Sequence, residues 1–327
     1  MIINPKTYIK LLPGGKTTPL VNKKSLLNFF KMKKRIVYFC LFFAGLPIIS
    51  SCEKEEFIVV DKNKSSQLSA QSDENAKLSS SYDKLILKDK PVGYWLLTKG
   101  YQSDASGHGM RGTYKGDGRG EAILPNGETA SVFNGKNNYF EIPDNYYQEV
   151  VRTGILTIEA WMRPDVVNFP VNETSEHYVH WMGKGTISNH LWAARMYNKE
   201  GNNRPQRISG YCFNLSGGLG AGSYFQSKDP ISPGTWIHYA LVINTKNTSK
   251  QYPTGYTRIY INGEIKDTDS LKDYNIIPGN STAPMRVATR DLNSFFLGAI
   301  GKVAIYDREL SKTQLLAHNN KMRGLKF

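Results

Sequence analysis

Cysteine is scarce in this chain, with three in 327 residues. Cys40 and Cys52 lie in or beside an apolar stretch near the start, which leaves Cys212 alone in the body, in a Tyr-Cys-Phe strand context. No intrachain disulfide can staple that body, so its stability must come from a hydrophobic core. Cys212 reads as a small buried hydrophobe rather than a nucleophile. A membrane-spanning run is missing as well: Ile36 to Ile49 is apolar over 14 residues and contains Pro47, short of the roughly 20 residues that a span needs. Acidic residues are absent from positions 1 to 51, which hold nine Lys or Arg. The formal charge of +14 is therefore mostly a property of that end, and the remaining 276 residues carry 33 basic against 28 acidic groups. So mild a balance excludes a nucleic-acid binder. Helix-rich composition and internal repeats are missing too, and what is present, Gly, Asn, Tyr and Thr, points to strands and turns.

Met32-Lys33-Lys34-Arg35, the apolar run, and then Ile49-Ser50-Ser51-Cys52 follow the order of a secretory signal. Ile-Ser-Ser-Cys resembles the lipobox of bacterial lipoproteins, which implies that Cys52 carries lipid and begins the mature protein; an ordinary signal that happens to end in Cys is the alternative. Glu53-Lys54-Glu55-Glu56 resembles the acidic export tag of Bacteroidetes lipoproteins displayed on the outer membrane, although four charged residues in a linker also serve mere solvation. The expected organisation is an upstream segment 1–31 from a start codon assigned too early, a signal 32–51, a lipidated Cys52 with a Ser-rich tether to 82, and one domain over 83–327. The membrane enters through the lipid anchor alone.

From Asp83 the pattern becomes short alternating segments between turn clusters, the signature of an all-β sandwich. Strands are expected at Val92–Leu97, Ala130–Phe133, Tyr139–Ile142, Leu156–Arg163, Tyr178–Lys184, Leu191–Tyr197, Arg207–Asn214, Ser223–Gln226, Trp236–Asn244, Thr257–Ile261, Met285–Ala288 and Phe296–Tyr306. Asn262-Gly263 after Thr257–Ile261 accepts positive φ at both centres of a type I′ turn, so a hairpin belongs there. One helix is expected after Ser311, with Gln314 completing a capping box. Along Leu156–Arg163, Thr157, Glu159 and Trp161 alternate with Ile158, Ala160 and Met162, so one set should face between the sheets and the other outward. Trp95, Trp161 and Trp236 read as packing residues rather than ligand platforms.

Several blocks occur in a fixed order: Tyr94-Trp95, Asp104-Ala105-Ser106-Gly107, Val132-Phe133-Asn134-Gly135, Thr157-Ile158-Glu159-Ala160-Trp161, Gly234-Thr235-Trp236, Ile259-Tyr260-Ile261-Asn262-Gly263 and Gly301-Lys302-Val303-Ala304-Ile305-Tyr306. Over residues 91 to 322 this set resembles the bacterial laminin-G-like jelly rolls of the concanavalin A-like lectin and glucanase superfamily, which implies a two-sheet antiparallel jelly roll with a short C-terminal helix. That fold serves lectins, adhesins, glucanases and lyases alike, so function must be argued from the site.

Glucanases of this fold use a Glu-x-Asp-x-x-Glu strand, and no Glu here is followed two positions later by Asp. The Gln-x-His and Tyr-Phe-Lys-Ala-Gly strands of alginate-lyase-type jelly rolls are absent also. What stands out is the segment from His177 to Gln226. On its strands Arg195 and Tyr197 share one face, as do Arg207, Ser209 and Tyr211. If these strands are neighbours on the concave sheet, they form with Trp192 and the downstream Arg290 a groove for an acidic or sulfated sugar, because guanidinium forks bind carboxylate or sulfate and rings stack on pyranoses. The plainer alternative makes the arginines surface charges and the tyrosines half-buried packing. The reading favours a non-catalytic carbohydrate-binding lipoprotein acting beside polysaccharide-utilisation partners. A lyase with His180 or His190 as base and Tyr211 as acid, or a protein-binding adhesin, is the alternative. No organic cofactor is expected. The resemblance implies calcium at Asp104, but Lys302 stands where the family often has an acidic second ligand, and calcium wants six or more oxygens.

Overall fold

The computed structural model describes residues 80–326, apart from 99, 174–176, 188, 202 and 215–219. The upstream segment, the signal, Cys52 and the tether up to residue 79 lie outside the described residues. Along the described chain come α1 (Ser81–Lys88), β1 (Gly93–Trp95), β2 (Thr113–Lys115), β3 (Gly120–Ile123), β4 (Thr129–Asn134), β5 (Tyr139–Ile142), β6 (Ile155–Pro164), β7 (Tyr178–Thr186) and β8 (Asn189–Tyr197). They are followed by β9 (Ile208–Phe213), β10 (Gly220–Phe225), β11 (Ile237–Asn244), β12 (Tyr256–Ile261), β13 (Glu264–Ser270), β14 (Met285–Val287), β15 (Leu297–Tyr306) and α2 (Lys312–Arg323). The strands form two antiparallel sheets, one ordered β13-β12-β11-β6-β15-β4-β3 with β1 also paired to β15, the other β10-β9-β8-β7-β14-β5-β2. This is the expected sandwich.

The core between the sheets takes Ile158, Ala160 and Met162 from β6, Trp181 from β7, Trp192 and Met196 from β8, and Tyr239 and Leu241 from β11. Trp95 joins it, as expected, whereas Trp236 is only half-buried. The other β6 set does not face solvent. Thr157, Glu159 and Trp161 are fully buried, because α1 and α2 cover that side of the first sheet and build a second core from Tyr82, Ile86, Trp161, Tyr306, Leu315 and Met322. Each such large side chain contributes roughly 1.5–3 kcal/mol by leaving water. The indole of Trp161 donates to the Tyr82 hydroxyl at 3.0 Å, which ties α1 to the sheet. The folded body thus begins ahead of Asp83: Ser80 caps α1 and Tyr82, expected in the tether, is buried.

α2 has the Ser311–Gln314 capping box and ends on a left-handed Gly324. The β12–β13 hairpin turns at Asn262 (φ 55°) and Gly263 (φ 80°); a Cβ at Gly263 would come within 2.6 Å of the Leu316 Cα, so glycine serves both turn and helix packing there.

Under α2 sits a buried polar network. Glu159 accepts from the Tyr306 hydroxyl at 2.8 Å and meets His318 Nδ1 at 3.0 Å and His238 Nε2 at 3.3 Å, while His318 Nε2 meets Asp89 at 2.9 Å. Burial works against the charged form of His318, but Glu159 and Asp89 outweigh it and raise its pKa to about 9. Burial lowers that of His238. A folded value above the ordinary 6.5 means that this stabilisation is complete below about pH 6.5 and is lost as pH rises through about 9. Thermal melts should therefore decline between pH 7 and 10, and His318→Gln should flatten that decline while lowering stability at pH 6.

Candidate functional site

β8 lies between β7 and β9, with His180 opposite Arg195 and Arg195 opposite Ser209. Trp192, Ala194 and Met196 point into the core, so by the two-residue period Ala193, Arg195 and Tyr197 stand on the outer face of the second sheet. The guanidinium of Arg195 is held between two rings, 3.8 Å from the centroid of Tyr178 and 4.2 Å from that of Tyr211. It donates to His180 Nε2 at 3.2 and 3.1 Å and to the Tyr197 hydroxyl at 3.3 Å. Arg204 donates to the same hydroxyl at 3.1 Å. Beside this group Arg207 lies 4.7 Å over Tyr224, Arg290 lies 5.7 Å over Phe213, and Tyr211 stacks on Phe213. Three guanidiniums thus rest on one aromatic floor, an arrangement that stiffens Arg; Arg195 is engaged with His180 and Tyr197, and Arg290 with Asp291. Gly183 makes room for it: a Cβ there would meet the Arg290 Cγ at 2.8 Å.

The same face gathers polar atoms without partners. Eight buried side-chain nitrogen or oxygen atoms among the described residues lack a hydrogen bond, and six belong here: Glu173 Oε1, His180 Nδ1, His190 Nδ1, Arg207 Nε, Ser209 Oγ and Arg290 Nε. An unsatisfied buried atom costs about 1–3 kcal/mol, so this concentration calls for hydrogen-bond partners from outside the protein, whether water or ligand.

Burial, then Arg290 and Arg195, drives the pKa of His180 well down, and burial lowers that of His190 to about 4. Both rings are neutral at pH 7. Because Arg195 directs two N–H groups at His180 Nε2, that nitrogen carries the lone pair and the proton sits on Nδ1, 3.6 Å from Glu173 Oε1. Two consequences follow. Glu173, His180 and Asp291 cluster like metal ligands, but a protonated Nδ1 cannot ligate, and Asp291 is paired to Arg290 at 2.5 Å, so the group does not fit a metal. Nor does His180 offer a lone pair to a substrate proton. Burial raises the Tyr211 phenol, whereas Tyr197, though burial pushes it up, is brought below its usual value by Arg195 and by hydrogen bonds from Tyr211, Arg195 and Arg204. Burial and Asp291 raise the pKa of Glu173.

The structure brings Arg195, Tyr197, Arg207, Tyr211, His180, His190 and Arg290 to one face. Trp192 must be removed from that set: it is fully buried between the sheets, its indole donating to the Gln148 carbonyl at 3.0 Å. Tyr197 and Tyr211 are buried too and hold Arg195 rather than face solvent, whereas Arg195, Arg207, Tyr178, Tyr224 and His190 are partly exposed. Tyr178, Phe213 and Glu173 were missed. Tyr178 shares parity with His180 and was findable; Glu173 arrives from an irregular loop.

Asp104 tells a different story. Its carboxylate accepts from the backbone N–H groups of Tyr94 and Ser106 at 2.9 Å and of Met110 at 3.2 Å, the Asx-turn arrangement. Lys302 is buried and pairs with Asp83 at 2.8 Å and Glu128 at 3.0 Å. A carboxylate already bonded to three amides, and an ammonium in place of the second acid, do not fit a calcium ion.

The family model of the concanavalin A-like lectin/glucanases superfamily, laminin G type, matches residues 134–316. No curated protein sequence matches the chain. Among solved structures, the binding domain of Paraclostridial Mosquitocidal Protein 1 is similar at 16% identity and a TM-score of 0.52, over 72% of this chain and 52% of that one. The botulinum neurotoxin serotype D ligand binding domain in complex with N-acetylneuraminic acid is similar at 15% identity and a TM-score of 0.51, over 71% of this chain and 51% of that one. The chain thus spans about half the length of these toxin binding domains.

Proposed function

The chain belongs to the concanavalin A-like lectin/glucanases superfamily, and on that fold we propose that it is a non-catalytic carbohydrate-binding protein whose ligand is an acidic polysaccharide held on the outer face of β7, β8 and β9. The observation that carries this reading is the six unpartnered buried polar atoms on that face. Among them the two arginine nitrogens are N–H donors and the serine hydroxyl can donate, whereas the His180 Nδ1 proton faces Glu173 Oε1 at 3.6 Å. Such a set suits a ligand rich in carboxylate or sulfate oxygens. The partly exposed rings of Tyr178 and Tyr224 supply apolar surface for pyranose faces. The serotype D toxin domain, of the same fold, is seen with N-acetylneuraminic acid, itself an acidic sugar.

Catalysis finds less support. The lyase reading with His180 as base requires Arg195 to leave Nε2. A panel of neutral and uronic-acid polysaccharides in affinity gels, read together for unsaturated product at 232 nm, tests both readings. Retardation by acidic polymers without product is the expected result; product would promote the lyase, and no retardation by any polymer would remove the glycan reading in favour of a protein-binding adhesin.

Lipidation at Cys52 and display on the outer membrane beside polysaccharide-utilisation partners complete the proposal, supported by the order of basic run, apolar run and Ile-Ser-Ser-Cys. Palmitate labelling that persists in Cys52→Ala would remove the anchor from it.

A further inference from the structure

A cavity of about 500 Å³, which shares no lining residue with the Arg195 face, lies between the Val150–Arg152 turn, the start of the β11–β12 connection and the segment after β13. Its size lies within the range of small-molecule sites, roughly 300–1,000 Å³. The floor is aliphatic, with Val150, Leu271 and Ile276 buried, and the wall rises to Ile277, 76% exposed. Every charged residue among the described lining is basic: Arg152, Lys246 and Lys272. Arg152 is committed to Asp307 at 2.5 Å, which leaves the ammonium groups of Lys246 and Lys272 as the cations at hand. None of the described lining residues is aromatic, so those residues offer a pyranose no ring to stack on. An apolar body with an anionic head fits it instead, because the chain buries against the floor while the head stays at the charged, wet rim.

We propose that this cavity binds a single-chain anionic amphiphile, of the alkyl carboxylate class, independently of the glycan face. The exposed Ile277 then has a role as the flap against which the chain packs, and the one-sided charge of the lining excludes cationic amphiphiles of the same length.

Calorimetric titration of the whole protein with decanoate, decyltrimethylammonium and a neutral decyl glycoside, below their micellar ranges, tests this. The expected result is one saturable site for decanoate, at least about tenfold weaker binding of the glycoside, and none of the cation. Lys246→Glu with Lys272→Glu should weaken decanoate at least about tenfold. Ile277→Glu, a change on the exposed wall that leaves the core intact, should do the same with an unaltered melting temperature. Equal binding of all three amphiphiles, no binding of decanoate, or decanoate binding indifferent to both variants overturns the proposal. None of these outcomes bears on retardation by acidic polysaccharides.

Discussion

Lys302→Ala is expected to lower the melting temperature by roughly 6–20 °C, the largest single effect on stability in this domain. Lys302 occupies a bulge in β15 between Gly301 and Ala304, with φ 55°, and the bulge turns its side chain under α1. There the ammonium, 1% exposed, meets both Asp83 oxygens at 2.8 and 3.1 Å and Glu128 at 3.0 Å, and the Tyr94 hydroxyl donates to Asp83 as well. Removing one partner of a buried pair costs about 3–5 kcal/mol, because the other charge is left without compensation. In a domain of this size each kcal/mol is worth about 2–4 °C. Exchanging the whole buried cluster for uncharged residues, Lys302→Met with Asp83→Leu, Glu128→Gln and Tyr94→Phe, should recover much of the loss, since no charge or hydroxyl is then left unpaired. Differential scanning calorimetry of the single and combined variants checks this, and a single variant that melts with the wild type would contradict it.

Arg195→Ala is expected to weaken binding of an acidic polysaccharide by about 30-fold or more, the loss of about 2 kcal/mol typical of a central binding residue. The guanidinium touches Tyr178, His180, Tyr197 and Tyr211 together, so its removal takes away a fork and loosens the floor on which a sugar would rest. Arg195→Lys restores charge but neither the planar fork nor the ring sandwich, and should recover less than half of the lost free energy. Arg207→Ala, at the edge over Tyr224, should cost about tenfold. Quantitative affinity electrophoresis with melting temperatures in parallel separates loss of binding from loss of fold.

The interior of the sandwich was legible because buried strands carry a pattern. Tyr139–Ile142 was placed to the residue, and the Asn262-Gly263 hairpin and the Ser311 helix start were found from their turn and cap chemistry. β2, β3 and β13 were not, and they share a reason. All three are sheet edges, with sequences such as Glu-Ile-Lys-Asp-Thr-Asp-Ser that expose charge instead of burying an apolar face, as edges must to avoid pairing with other chains. α1 escaped for a related cause: within its Ser-rich approach only the Ser80 to Asp83 spacing announced a cap, and its two buried apolar residues, Tyr82 and Ile86, are too few to show a helical period.

At the candidate site, strand parity was a sufficient guide to Arg195, Tyr197 and Tyr211, and should have excluded Trp192, which is three residues from Arg195 and so faces the opposite way. The roles of Tyr197 and Tyr211 were harder to read, since a sequence does not say which side chain lies on top of which. Glu173 and Asp291 reach the cluster from irregular segments, whose approach no periodicity encodes.

A structure of the domain with a uronic-acid oligosaccharide that retards it in gels is the most direct test of the central claim. The account predicts a sugar carboxylate against Arg195 or Arg207 with a pyranose face on Tyr178 or Tyr224, on the outer side of β7, β8 and β9. An oligosaccharide bound anywhere else on the domain, with that face uncontacted, would contradict it.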